Sequence, residues 1–350
     1  MKQTGLIANE EGFSGYYPAL DTLRFLAVFG SFLHHSHLIR FIHGHTFFFV
    51  LAAFILTLLA QKEYAKTKQF SFFKFTMRRL LRIVPLYFLL LFVGFVCVPL
   101  FFDRAATLPD VIPYLTFTAN YIQEPHVFLL AVLWAVSVQE QFYVFIGICF
   151  RFFYRLLPWI AVAMICVSVG YKYVSFLDRR SIYFETLNHF SSFGVGILLA
   201  IGVGEGWFEK VKKVPRLSIV FFYALLVAFF SQISHLYAFA WFNALDNVIV
   251  SLLFSVVILT NTVTPPIVFF AGKSSLLDYF GKISYGLYCY QGVIITFGLH
   301  VILPILPAGL HEFLPLLHFL LLLAVAHVSY QFFEKPFLNL KSRFRSEVTN

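Results

Sequence analysis

Long apolar segments recur along this chain of 350 residues, and they constrain its fold more than any other feature. A helix needs about 20 consecutive apolar residues to cross a bilayer. Hydrophobic residues make up 60% of the chain and charged residues 12%, whereas a soluble chain averages about 45–50% apolar and about 25% charged residues. The sequence therefore predicts an all-α, polytopic transmembrane helix bundle. About ten spans are predicted, at 17–39, 45–61, 83–102, 126–150, 158–177, 188–204, 217–235, 239–260, 283–303 and 314–333.

The basic residues sort onto one side of this predicted bundle. With the N-terminus in the cytoplasm, 20 of the 26 lysines and arginines fall in cytoplasmic segments, five fall on the outer side, and Arg24 lies within the first span. Membrane proteins concentrate Lys and Arg in their cytoplasmic loops. The pattern predicts that both termini are cytoplasmic, and it explains the net charge of +9 without a nucleic-acid partner.

The same pattern divides the chain into three regions. Residues 1–16 are predicted to be a cytoplasmic N-terminus, 17–337 the transmembrane domain, and 338–350 a basic cytoplasmic tail. The first 15 residues lack the apolar stretch of a signal peptide, so the first span is expected to remain in the membrane. No soluble domain is expected after the last span. Residues 265–282 begin with two prolines, which break a helix, and the short apolar piece after them is predicted to be interfacial.

Ionisable and strongly polar residues occur in only a few of the spans. Such groups are costly in a bilayer and are candidates for function. His35 lies eleven helical positions after Arg24, which places the two residues on one face to within roughly 20° and about 16 Å apart along the axis. Arg24 would lie toward the cytoplasm and His35 toward the outside, although His35 could equally be a histidine that packs between helices. The other such residues are His34 and His37 in the first span, Gln139, Glu140 and Gln141 in the fourth, and Asp246 in the eighth.

Two further groups of residues have competing interpretations. Five histidines lie between residues 34 and 45, but their spacing is loose and no Cys or HExxH pattern accompanies them, so no metal site is predicted. His43 and His45 are predicted to be interfacial polar residues. Arg78, Arg79 and Arg82 stand at a helix entrance, where guanidinium groups could bind a phosphate-bearing ligand or could simply anchor the helix on the cytoplasmic side.

Several of these stretches, in this order, resemble the bacterial acyltransferase-3 family. Arg24 and His35 match its Arg-x10-His signature, and Arg79 and Arg82 match its Arg-x-x-Arg motif. The resemblance runs from about residue 17 to residue 340. The other stretches that carry it are Leu20–Arg24, Phe47–Leu51, Ile83–Tyr87, Trp134–Tyr143, Ile283–Tyr288 and Phe333–Phe337.

The chain departs from the family pattern at three places. Gln139 stands where the family usually has Glu, and Glu140 lies one position further, about 100° around the helix. Residues 52–54 read Ala-Ala-Phe instead of Ser-Gly-Phe, and Gln291 replaces a usual His. These changes affect the acid-assisting residue and the surroundings of the acyl group, and they leave the four motif residues unchanged.

The resemblance implies an acyltransferase that transfers groups other than amino-acyl groups. Family members use cytoplasmic acyl-CoA, commonly acetyl-CoA, to O-acylate glycans outside a bacterial inner membrane. It implies that Arg79 and Arg82, with Arg78 beside them, hold the coenzyme A phosphates. It also implies that His35 acts as a base or as a covalent acyl carrier, and that Arg24 positions the thioester or stabilises an oxyanion. Gln139 and Glu140 would take the acid-assisting position.

The acceptor is expected to be a lipid-linked or membrane-proximal glycan, such as lipopolysaccharide or another polysaccharide of the cell envelope. Without an appended hydrolase-like domain, the membrane domain is expected to complete the transfer by itself. Two alternatives remain open: a transporter or flippase of a lipid-linked glycan, and a catalytically inactive relative. The ionisable residues concentrate in the first and fourth spans rather than along a continuous path, which favours a local reaction site.

Overall fold

A computed structural model describes residues 17–41, 43–97, 108–122, 128–262 and 275–344. Within these ranges the chain is helical and contains no strand, which confirms the predicted all-α fold. Most of the turns that extend these helices are 3₁₀ or π-helical. The helices are α1 (Pro18–His35), α2 (Gly44–Thr67), α3 (Phe72–Phe92), α4 (Leu108–Leu115), α5 (Trp134–Phe152), α6 (Leu157–Leu177), α7 (Phe190–Gly204), α8 (Arg216–Leu236), α9 (Ala240–Thr262), α10 (Ser275–Lys282), α11 (Ser284–Phe297), α12 (Leu314–Ser329) and α13 (Lys335–Leu340).

Nine helical segments of the described residues are long and apolar enough to cross a membrane. They correspond to the second through tenth predicted spans. The first predicted span also forms a helix, α1, but Asp21, Arg24 and two terminal histidines lower its mean hydropathy. Its 18 residues would extend about 27 Å at 1.5 Å per residue, close to the roughly 30 Å of a hydrocarbon core. The predicted interfacial piece after Pro265-Pro266 lies outside the described residues, which resume with α10.

Helix α3 begins eleven residues before the start of the predicted third span. The side chain of Ser71 caps it by accepting a hydrogen bond from the Lys74 backbone N–H at 3.3 Å. The arginines predicted to stand at a helix entrance therefore lie within the second and third turns of α3. A hydropathy pattern misses this start because the first turns carry four basic residues on an otherwise apolar helix.

Helices α2 and α7 pack closely against each other. A Cβ atom on Gly196 of α7 would lie 2.4 Å from the Val50 carbonyl oxygen and 2.8 Å from the Ala53 Cβ of α2. Small residues at such a crossing allow the two backbones to approach closely. Helix α8, in contrast, buries few of its residues and presents most of its apolar side chains outward.

We expect Gly196→Ala to lower the stability of the protein, because the added methyl group meets backbone atoms that cannot rotate away. Overpacking of this kind costs about 1–3 kcal/mol. Thermal unfolding of the detergent-solubilised protein measures the change. Gly170→Ala on α6 is the matched control, since a Cβ there has no atom within 4 Å, and it should keep or raise the unfolding temperature. Equal unfolding temperatures for both variants would contradict the close packing.

Candidate functional site

A cavity of about 110 Å³ opens inside the bundle between α1, α2, α3, α5 and α11. One wall is a stripe of α2 that includes Phe48, Ala52 and Ile55, and tyrosines of α11 close another side. The polar side chains that line it include Arg24, His45, Arg79, Arg82, Gln139 and Tyr143. Three of the four family-motif residues therefore meet at one cavity.

The cavity is elongated along α2, with different chemistry at its two ends. Its lining on α2 runs from His45 to Leu56, which is about 16 Å at 1.5 Å per residue. Arg24 also lines an adjoining space of about 100 Å³ together with Leu58, Leu59 and Lys62, so it lies level with the later part of α2. The arginines thus occupy one end of the cavity and His45 the other.

The arginines of this cluster differ in their partners. Arg24 forms an ion pair with Asp21 one turn earlier on α1. Arg78 faces away from the cavity: its Nη2 lies 3.5 Å from Glu63 Oε2, and its Nη1 donates to the Phe344 carbonyl oxygen at 2.9 Å. These two guanidinium groups are thus held by protein oxygens.

Arg79 and Arg82 have no ion pair or hydrogen bond with any residue that the structure describes. The Nε of Arg79 is buried without a partner, and its guanidinium lies 5.7 Å from the centre of the Tyr143 ring and 5.9 Å from that of Phe75. The charges of Arg24 and Arg82 both act on Arg79. Two neighbouring guanidinium groups without a partner among the described residues offer N–H donors in the geometry that suits an anion with several oxygens.

Lys341 adds a fifth cation to this end of the bundle. It lies in a 3₁₀ turn, Lys341–Phe344, that packs on α3 and is fixed there by the Arg78 hydrogen bond and by contact of the Phe344 and Phe73 rings at 6.0 Å. Its charge interacts with those of Arg24, Arg78, Arg79 and Arg82. The sequence placed Lys341 in a basic tail, because nothing in a short basic segment indicates which helix it packs against.

His45 occupies the opposite end of the cavity and is 8% exposed. Its ring centre lies 5.0 Å from that of Trp134, 5.0 Å from that of His189 and 5.3 Å from that of Tyr183. The Tyr183 hydroxyl is 3.3 Å from His45 Nδ1. His43 and His45, which are predicted to be interfacial polar residues, are both buried within the bundle. Phe230 and Tyr237 pack against the His43 ring, whereas Trp134, Tyr183 and His189 pack against that of His45.

His35, in contrast, is the last residue of α1 and is exposed. It does not line the cavity, although it shares a helix face with Arg24. Gln139 does line the cavity, and its amide donates to the Tyr143 hydroxyl. Glu140 lies beside Arg79, whose charge acts on it, and it is buried with its Oε1 unpartnered among the described residues.

Asp246, the intramembrane carboxylate of the eighth predicted span, lies away from this cavity. It forms an ion pair with Lys172 of α6 and accepts a hydrogen bond from the Tyr237 hydroxyl at 3.1 Å. His43 Nε2 lies 2.8 Å from that hydroxyl oxygen and donates to it. Burial lowers the pKa of His43 to about 4; the charge of Lys172 lowers this pKa further, and that of Asp246 raises it. The His43 ring is therefore neutral at pH 7. The network joins α6, α9 and the start of α2, which assigns Asp246 a structural role.

Comparison with known proteins gives one family and a set of relatives. The acyltransferase-3 family model, described as an acyltransferase domain, matches residues 17–329. The chain is 25% identical over 348 residues to O-acetyltransferase OatA of Staphylococcus aureus strain NCTC 8325 / PS 47, and equally to that of strain COL. These alignments cover 92% of this chain and 57% of each relative, so the chain spans little more than half the length of the curated relatives it matches. No solved structure matches the chain.

Proposed function

Because the chain belongs to the acyltransferase-3 family, whose domain covers residues 17–329, we propose that it is a membrane O-acyltransferase. It moves an acyl group, most simply acetyl, from acyl-coenzyme A to a hydroxyl group of a cell-surface or lipid-linked glycan. The names of the S. aureus relatives support the O-acetyl part of this proposal. The single observation that supports acyl-CoA as the donor is that Arg79 and Arg82 line one end of the cavity without an ion pair or hydrogen bond among the described residues.

Arg79 and Arg82 bind the phosphates of coenzyme A in this proposal. Guanidinium groups match phosphate oxygens in a bidentate geometry, and neither side chain would have to give up a protein partner. Lys341 and Arg24 strengthen the positive potential at the same end. Arg78 contributes through its charge and holds the 3₁₀ turn of Lys341 against α3.

The thioester arm then lies along the apolar stripe of α2 toward His45. Phe48, Ala52 and Ile55 offer it no competing charge. Gln139 reaches the cavity between its two ends and would contact the arm. Tyr143 lies beside Arg79 at the arginine end, where the charge of Glu140 also acts. Polar groups at two ends of a small cavity suit a bound acyl donor better than a passage for a whole glycan.

The excess of basic residues at one end of the bundle sets the proposed orientation. The arginine end faces the cytoplasm, where acyl-CoA is available, and the His45 end faces outward toward the acceptor. Both termini are then cytoplasmic, and the membrane is the inner membrane of a bacterium. Transfer requires no metal ion in this scheme.

Turnover of radiolabelled acetyl-CoA in membranes that contain the protein tests the proposal. We expect label to enter a glycan or glycolipid fraction, in amounts that depend on the protein, and unlabelled acetyl-CoA to compete. Membranes without the protein are the control, and longer acyl-CoAs test the choice of acyl group. No labelled fraction, with the protein folded and its native glycans present, would overturn the proposal, and so would glycan transport that proceeds without acyl-CoA.

A further inference from the structure

Lys341 is a third cation without an ion pair at the arginine end of the cavity, beside Arg79 and Arg82. It forms neither an ion pair nor a hydrogen bond with any residue that the structure describes, and of the arginine charges that act on it that of Arg79 is the strongest. Glu63, a carboxylate on the neighbouring helix α2, is already engaged: Arg78 pairs with its Oε2, and a backbone N–H donates to its Oε1 at 2.9 Å. Like charges held close together lower the stability of a protein unless an anion lies among them.

The 3₁₀ turn that carries Lys341 is held in place along the start of α3. Arg78 Nη1 donates to the Phe344 carbonyl oxygen at 2.9 Å, and the Phe344 ring lies 6.0 Å from that of Phe73. Both contacts are made to residues of α3 that precede the cavity-lining arginines. Lys341 itself does not line the cavity. The turn therefore extends the row of cations beyond the cavity.

The start of α3 lies on the side of the arginine pair that is away from His45. Trp134, which begins α5, packs on His45 with ring centres 5.0 Å apart. Phe150, near the end of the same helix, packs on Phe75 near the start of α3, at 6.1 Å between ring centres. The residues of α3 that line the cavity come at least one turn after Phe75. Along the bundle, the order is therefore His45, the cavity, the arginine pair and then the turn of Lys341.

The groups of coenzyme A follow one another in a matching order, and this inference rests on the proposed function. The thioester arm is joined to a diphosphate, and the ribose with its 3′-phosphate comes after the diphosphate. An arm that lies along α2 places the diphosphate at Arg79 and Arg82, which line the cavity. The 3′-phosphate then lies beyond these two side chains, where Lys341 is the next cation.

We propose that Lys341 binds the 3′-phosphate of coenzyme A and gives the protein a preference for coenzyme A over dephospho-coenzyme A. The ammonium group offers three N–H donors and a compact charge to the phosphate oxygens. It gives up no protein partner among the described residues when it does so. The last helical turn of the described chain is thereby a part of the donor site.

Displacement of radiolabelled coenzyme A from the full-length protein by unlabelled coenzyme A or dephospho-coenzyme A measures this preference. We expect the wild type to bind coenzyme A about 10-fold more tightly, the low end for a hydrogen bond to a charged group. Lys341→Met should bind both compounds with about equal affinity, whereas Lys341→Arg should keep the preference. Arg343→Met is the matched control, because it removes one positive charge from an exposed residue of the same turn, and it should also keep the preference.

Thermal unfolding without ligand separates this role from a structural one. Lys341→Met removes a positive charge from beside the arginines, so the variant should unfold at the wild-type temperature or above it. A lower unfolding temperature would assign Lys341 a structural role and overturn the proposal. An unchanged preference in Lys341→Met, or equal losses in Lys341→Met and Arg343→Met, would overturn it and leave the proposed donor intact. A wild-type protein that binds neither compound would instead remove the proposed donor site, and with it this assignment.

Discussion

Replacing Arg79 by alanine weakens the binding of coenzyme A by about 10- to 150-fold, since a hydrogen bond to a charged group contributes about 1.5–3 kcal/mol. At subsaturating acyl-CoA, the rate of acyl transfer falls by at least the same factor. The Arg79 guanidinium has no protein acceptor among the described residues, so the variant loses ligand contacts and no internal ion pair. The side chain is also fixed between the Tyr143 and Phe75 rings, so little conformational entropy is lost when it binds an anion.

Binding of radiolabelled coenzyme A to the purified protein measures this effect. Arg79→Lys keeps the charge but loses the planar fork, so we expect an intermediate loss. Lys74→Ala is the matched control, because it removes one positive charge from the same helix at a side chain that does not line the cavity. If Arg79 binds the 3′-phosphate, the difference in affinity between wild type and Arg79→Ala should be smaller for dephospho-coenzyme A than for coenzyme A. Equal affinities of wild type and Arg79→Ala would contradict the anion site.

The sequence is sufficient to predict that Arg79 and Arg82 lie side by side, because the signal is local. Arg79 and Arg82 are three residues apart on one helix, which makes them neighbours whatever the rest of the chain does. Arg24 joins them because an arginine in an apolar span must face the interior of a bundle or a polar cavity. The all-α fold was predictable for the same reason, since the length and composition of each apolar segment determine it independently of the other segments.

The other end of the cavity could not be predicted in this way. Arg24 and His35 do share a face of α1, but a shared face does not determine whether the last turn of a helix still borders the cavity. His45 is placed by residues far away in the sequence, Trp134 from α5 and Tyr183 and His189 from the segment before α7. A histidine next to the first residue of an apolar segment looks interfacial when only its own segment is considered. The available signal was the pair of polar residues Tyr183 and His189, both of which lie between α6 and α7.

Lys341 and the Asp246 network were missed for the same physical reason. Lys341 reaches the arginine end only because the last helical turns fold back on α3. Asp246 looks functional as an isolated intramembrane carboxylate, and its structural role becomes visible only with Lys172 of α6 beside it.

Replacing Asp246 by alanine destabilises the protein by about 3–5 kcal/mol, the cost of removing one partner of a buried ion pair. Lys172, only 12% exposed at its side chain, would be left without its counter-charge, and the Tyr237 hydroxyl would lose its acceptor. Because Tyr237 also contacts His43, losing the hydrogen bond between Tyr237 and Asp246 loosens the packing at the start of α2, next to His45. Thermal unfolding in detergent measures the effect.

The double variant Lys172→Met, Asp246→Leu separates the charge from the packing. It removes both charges and replaces them with apolar side chains, so we expect it to regain most of the stability that Asp246→Ala loses. Acyl transfer per folded molecule should remain close to wild type in the double variant, because neither residue lines the cavity. An Asp246→Ala protein that unfolds at the wild-type temperature would contradict the ion pair. A stable double variant without activity would mean that this carboxylate takes part in the reaction after all.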